Sequence, residues 1–242
     1  MIGLGTIINA LAIIAGGLCG MLFGKKIKDQ LQTSMIMACG VCTLFIGISG
    51  ALVEMFSITD NGKITSTGTM MAIICMVLGG LIGELLKLED HLEGFGEWLK
   101  VKTKSEKDNS FVNAFVTASL TVSIGAMAIV GSIQDGLMGD YSILAAKAML
   151  DFIIIIVFTA SLGKGAMFSA IPVFILQGTV TLLARLFEPL MTPDALSNLS
   201  LTGSILIFCV GINLVWGKKI RVANFLPTIV LAVIWSFLPI KF

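Results

Sequence analysis

The sequence predicts an all-α, polytopic transmembrane helix bundle of about eight spans. Three observations carry this: the length of its apolar runs, the scarcity of charge between them, and the one-sided placement of the basic residues. Apolar runs fall at 2–24, 34–55, 66–86, 109–131, 142–163, 165–187, 200–217 and 223–240. Roughly 20 apolar residues in a helix span a hydrocarbon core about 30 Å thick. A backbone in lipid must satisfy its own hydrogen bonds, so runs of this length are helices. The ten-residue alternating segments of a membrane barrel are not seen in the sequence.

Composition agrees. Hydrophobic residues make up 56% of the chain, charged residues 13%, and the mean hydropathy is +0.99. A soluble domain carries about 25% charged residues. The net charge of +1 lacks the basic face of a nucleic-acid binder, so no nucleic-acid partner is expected. One integral membrane domain is expected over 1–242, with the bilayer as its first partner. The first run is too long for a signal-peptide core and reads as a retained helix. All five cysteines lie inside apolar runs. Cys39 and Cys42 have redox or zinc spacing but no second pair, so they read as structural. No cofactor and no metal site are expected.

Positive residues favour the cytoplasmic side of short loops. With the N-terminus outside, twelve of the sixteen basic residues fall on inner loops and three outside, and Lys147 lies within a span. Both termini are therefore expected to face outward. The inner loop 87–108 holds an amphipathic helix over 88–100 that lies on the cytoplasmic interface. Its apolar face is Leu88, Leu92, Phe95 and Leu99 with Trp98 beside them, and Glu89, Asp90, Glu93 and Glu97 face away.

Gly16-Gly17-Leu18-Cys19-Gly20 in the first span resembles Gly79-Gly80-Leu81-Ile82-Gly83 in the third, and Gly24-Lys25-Lys26-Ile27 resembles Gly217-Lys218-Lys219-Ile220. These likenesses suggest repeated helical hairpins, a pattern of transporters. The small residues also suit close helix packing and a homo-oligomer, a dimer first.

Charge at membrane depth costs about 2.5–3.5 kcal/mol on insertion scales and marks function. Asp151 lies near the centre of the fifth span, with Lys147 one turn away on the same helix face. The pair serves either as a structural ion pair or as a carboxylate that meets a cation or proton. Asn9, Ser119, Ser123, Gln177 and Asn213 place neutral oxygens at depth, and hard cations want oxygen ligands. Gln134 and Asp135 lie in a polar, glycine-rich stretch, 125–141, that closes span four, and there they suit an outer mouth or a turn. Pro172 and Pro227 either kink their spans or free carbonyls that line a cavity.

Gly5-Thr-Ile-Ile-Asn9, Gly79-Gly-Leu-Ile-Gly83-Glu84, Met127-Ala-Ile-Val-Gly131-Ser-Ile-Gln-Asp135-Gly136 and Lys218-Lys-Ile-Arg221-Val-Ala-Asn224-Phe-Leu-Pro227 resemble the uncharacterised bacterial inner-membrane family typified by YqgA and YdfK. The resemblance runs nearly end to end. It implies a multi-pass protein of the bacterial cytoplasmic membrane, and the family carries a suggestion of a sodium channel or pump. It carries over no catalytic or binding residues. The expected function is a transporter or channel for a small cation (Na⁺ or H⁺) or a small polar solute. The alternative is a non-transporting scaffold or sensor acting through helix contacts. Neither a phosphate-binding loop nor a His-Glu-x-x-His or paired-aspartate signature is present, so no enzyme is expected.

Overall fold

The computed structural model describes residues 2–24, 29–58, 64–106, 108–123 and 126–238. The basic residues Lys25, Lys26, Lys28, Lys63, Lys107 and Lys241, and with them the 24–27 half of the second sequence likeness, lie at or beyond the edges of what is described. The helices are α1 (Leu4–Gly24), α2 (Asp29–Met55), α3 (Thr69–Leu85), α4 (Leu88–Lys102), α5 (Phe111–Ser123), α6 (Ala126–Met138), α7 (Ser142–Leu162), α8 (Ala170–Leu182), α9 (Ala184–Phe187), α10 (Pro193–Trp216) and α11 (Pro227–Trp235). Short 3₁₀ turns at Lys164–Ser169 and Val222–Phe225 lead into α8 and α11. Among the described residues the strands are those of one two-stranded antiparallel ribbon, Phe56–Ile58 with Ile64–Ser66.

Five stretches among the described residues are long and apolar enough to cross a membrane, and up to seven if each of two bent pairs counts as one span. The eighth predicted span appears as the shorter apolar stretch Val222–Trp235. Large apolar side chains lie exposed along these helices, among them Leu11, Phe45, Val77, Ile153 and Ile175. In water such a surface drives aggregation, whereas acyl chains solvate it.

The residues group into two compact units, Met1–Cys39 with Asp90–Glu188, and Gly40–Glu89 with Pro189–Phe242. In the first unit α1 lies along α7, pointing the same way. Gly5 sits against Tyr141 and Leu144, Gly16 against Phe152, and Gly20 against Ile156 and Thr159. A Cβ on Gly16 or Gly20 would come 2.6 Å from a backbone carbonyl of α7, so only glycine permits this approach. Helix α8 runs the opposite way beside α1, with Gly17 against Met167 and the Thr6 hydroxyl 3.4 Å from that of Thr181.

The pair α5 and α6 bends by 62° at its break. It travels beside α8 from end to end, from Phe111 near Gly165 and Phe168 to Gly136 against Thr181 and Ala184. Its course is that of one broken span, and helix runs on to Met138, past the end at 131 that the sequence sets for span four. The reason is that Asp135 faces inward. It accepts the Gly3 N–H (3.2 Å) and the Gly5 N–H (3.0 Å) and so caps the start of α1. Helix starts leave such amides unsatisfied, and a carboxylate there is favourable.

In the second unit α3 packs on α11 and the turn before it. Gly79 lies against Thr228, Gly80 against Phe225 and Gly83 against Asn224. Met71, Ala72, Cys75, Leu201 and Ala232 form its apolar core. Helix α2 runs antiparallel to α10, with Gly40 against Val215 and Gly50 against Ser204. Thr192 caps α10 by accepting the Ala195 N–H at 3.2 Å, with Pro193 as the first helical residue, the arrangement that suits a helix start. The two similar glycine triplets thus serve close packing but meet different partners: α7 for α1, and α11 with its preceding turn for α3.

Two sequence expectations are corrected here. Glu89 does not face away from the protein. It is 2% exposed, accepts the Ala223 N–H (2.9 Å) and pairs with Lys218 (2.8 Å), while its own N–H donates to Asn224 Oδ1. It therefore ties the bend after α3 to the Val222–Phe225 turn, supported by Glu84, which binds Arg221 (3.0 Å) and Asn224. Pro172 and Pro227 do not kink their spans, because each lies in the first turn of its helix, where a missing N–H costs nothing. The rest of the α4 pattern holds, with Leu99 buried and Trp98 exposed and stacked on Phe95 at 5.7 Å.

Candidate functional site

The first unit gathers all but one of the residues the sequence singled out. Asp151 is 2% exposed and Lys147 7%. The Lys147 ammonium donates to both carboxylate oxygens at 2.8 Å and to the Val122 carbonyl at 2.7 Å. That carbonyl lies in the last turn of α5, which ends at Ser123. The helix break and the ion pair are therefore one arrangement, in which the negative end of a half-helix meets a buried cation.

Helix register sets the neutral candidates at the same depth. Asn9 lies between the points where Gly5 and Gly16 meet α7 at Leu144 and Phe152, and its amide is in electrostatic reach of the Asp151 carboxylate. Gln177 lies opposite Asn9, since α1 and α8 cross from Thr6–Thr181 to Gly17–Met167. Ser119 and Ser123 flank Val122, which touches Lys147. The amides of Asn9 and Gln177 and the hydroxyls of Ser119 and Ser123 are buried, and none has a hydrogen-bond partner within the protein. Leaving a buried polar group unpaired costs about 1–3 kcal/mol. A core serving only stability would carry apolar residues here, as the second unit does at Ala72, Leu201 and Ala232.

Asn213 does not join this cluster. It lies in the second unit, where its amide donates to the Ile220 carbonyl (2.7 Å) and its oxygen accepts the N–H of Lys219 (2.8 Å) and Ile220 (2.9 Å). Its role is to close the turn that Gly217 opens at φ 77°. Asp135 is not an exposed mouth residue, being wholly buried and committed to the start of α1. Gln134 is half-buried beside it. Between α6 and α7, Asp140 accepts the Ser142 N–H at 3.0 Å, which holds its carboxyl below the usual range and fastens the start of α7.

The sequence did not single out Thr159 and Ser161 on α7 or Ser169 in the turn after it, all buried with hydroxyls unpaired. Their signal was their place on, or just after, the helix that carries Asp151. Among the described residues no group of three or more His, Cys, Asp or Glu side chains could hold a metal ion.

Comparisons with known proteins follow the same lines. The model of the family described as "Protein of unknown function (DUF554)" matches residues 4–237. The chain is 31% identical over 227 residues to "Uncharacterized membrane protein YdfK" of Bacillus subtilis (strain 168), covering 94% of this chain and 93% of that one. It is 29% identical over 229 residues to "Uncharacterized protein YqgA" of Escherichia coli (strain K12), covering 95% and 94%. No solved structure matches. With its apolar helices and the match running almost from end to end, the chain is a multi-pass membrane protein and belongs to the DUF554 family.

Proposed function

We propose that the protein moves a small cation, Na⁺ or H⁺, or a small polar solute across the bacterial cytoplasmic membrane, and that its site is the cluster around Asp151. The observation that carries this reading is the ring of buried, unpaired polar groups from Asn9, Ser119, Ser123 and Gln177 at the level of the Lys147–Asp151 pair. These groups offer the oxygen ligands that a hard cation needs. In the described state Lys147 occupies both Asp151 oxygens. An entering cation takes over the carboxylate, and the neutral oxygens complete its shell.

The pair is buried, which favours a gated cycle over an open pore. The break between α5 and α6 supplies the joint at which such a gate can bend, as in transporters built on discontinuous helices. The one-sided basic residues support an orientation with both termini outward. The test is flux in proteoliposomes. Asp151→Asn is expected to abolish cation-dependent flux while the protein, with a lowered melting temperature because Lys147 loses its partner, still purifies as a folded species. Flux at the wild-type rate in that variant would reject the site.

A further inference from the structure

Helices α1, α5, α7 and α8 of the first unit pack on one another around the Lys147–Asp151 pair, and among their described residues these two are the only charged ones. On α6, Asp135 is committed to the amides of Gly3 and Gly5. Asp151 is buried, and both of its oxygens lie 2.8 Å from the Lys147 ammonium. A bare cation that took this carboxylate would set two positive charges beside one negative charge. The displaced ammonium would keep only the Val122 carbonyl. Like charges repel strongly where water is scarce, and a buried ion stripped of its partner is costly. The pair therefore opens at least cost to a ligand that replaces both partners at once.

The neutral groups point the same way. The side-chain amides of Asn9 and Gln177 are buried, and both the oxygen and the NH2 group of each lack a partner within the protein. The oxygens suit a cation or a donor. The NH2 groups can only donate, so they need an acceptor, and a metal ion or a proton supplies none. The unpaired hydroxyls of Ser119 and Ser123 serve in either sense. A ligand with an ammonium at one end and a carboxylate at the other answers all of these groups. Its ammonium takes Asp151 and the amide oxygens, and its carboxylate takes Lys147 and the amide NH2 groups. One ion pair becomes two, and no charge is left alone.

We infer that the solute of this site is a small zwitterion bearing one ammonium and one carboxylate, as a small amino acid does. This deepens the transport reading and rests on its choice of site. The test uses the whole protein purified in detergent and melted with glycine, L-alanine, methylammonium chloride, sodium acetate or sodium chloride at matched ionic strength. A ligand of the native state raises the melting temperature by mass action. Glycine or L-alanine is expected to raise it by several degrees, and the singly charged ions by much less. In Lys147→Met and in Asp151→Asn the amino-acid shift should fall to under about a third. Lys147→Met leaves a lone carboxylate, so methylammonium should now raise the melting temperature. Asp151→Asn leaves a lone ammonium, so acetate should now do so. A purely structural ion pair would give no such exchange of preference. Gln177→Leu removes an unpaired amide without touching the ion pair. Its ligand-free melting point should match or exceed wild type, and its amino-acid shift should still be weakened. An amino-acid shift that persists in full in all three variants, or no shift with either amino acid in the wild type, overturns the proposal. Flux in proteoliposomes separates it from the reading it rests on. Sodium flux without an amino-acid shift overturns the zwitterion and leaves transport standing. An amino-acid shift that needs both charges, with no flux of glycine, alanine or Na⁺, supports the ligand and rejects transport.

Discussion

At the scale of residues, the ammonium of Lys147 is held by three oxygens from two helices, Asp151 Oδ1 and Oδ2 on α7 and Val122 O on α5. Removing one member of a buried ion pair leaves the other uncompensated and costs about 3–5 kcal/mol, whereas exchanging both for apolar residues is often neutral or stabilising. Lys147→Met is therefore expected to lower the melting temperature sharply, and Lys147→Met with Asp151→Leu to restore it to wild type or above. Melting of the purified single and double variants checks this. A double variant as unstable as the single would mean that the pair is needed for folding rather than for function. The i, i+4 spacing made the pair itself legible in the sequence. Its third partner was not, because Val122 reaches Lys147 only once α5 stops at Ser123. Asn213 and Glu89 were misread for a related cause. A helical wheel sends acids to water and amides to a neighbour, but cannot show a turn folding back from Gly217 or an amide offered 134 residues away.

At the scale of elements, the second unit turns on the contact of α3 with the segment from Val222 to Thr228. Gly83 lies directly on the Asn224 carbonyl, and Asn224 in turn bonds Glu84 and the Glu89 N–H. A methyl group has no room there, and the obstacle is backbone, which cannot rotate aside. Overpacking costs about 1–3 kcal/mol, and here the displaced turn also loses its bonds to Glu84 and Glu89. Gly83→Ala is expected to lower the melting temperature and to raise hydrogen exchange at the Ala223 amide, which Glu89 accepts. Gly94→Ala, on α4 with open space around it, is the matched control and should change neither. Equal melting of the two variants would show that the turn can yield. The glycine pattern announced close packing from sequence alone. Which helix it meets depends on tertiary contacts, and the two triplets differ on that point. The break in the fourth span was half legible. The polar, glycine-rich stretch marked an unusual helix end, but Asp135 drew attention as an exposed acid when its partners are the amides of Gly3 and Gly5.

At the scale of the whole chain, helix direction tests the count of crossings. Helices α1 and α7 point the same way within their unit, so an odd number of crossings separates them. If α2 and α3 both cross, the broken pair α5 and α6 must cross as well, which agrees with its course along the full length of α8. A re-entrant loop at the break would have turned α7 around. In the second unit α11 opposes α3, since Gly79 meets Thr228 and Gly83 meets Asn224. A chain that enters from outside, has α3 running inward and ends on α11 therefore returns to the side where it began. The basic residues say which side that is, because inner loops hold twelve of them. Helix direction thus adds that the two ends share a side, and the expectation that this side is the outer one rests on charge alone. Alkaline phosphatase, which works only when exported, should be active when fused after residue 242 and inactive when fused within 103–108. A reporter that is silent at the C-terminus yet active in a second fusion at 191–192, before α10, would mean that the stretch from Val222 to Trp235 does not cross. The crossing count would then be seven, and the opposed direction of α3 and α11 would belong to a helix lying short of the far surface.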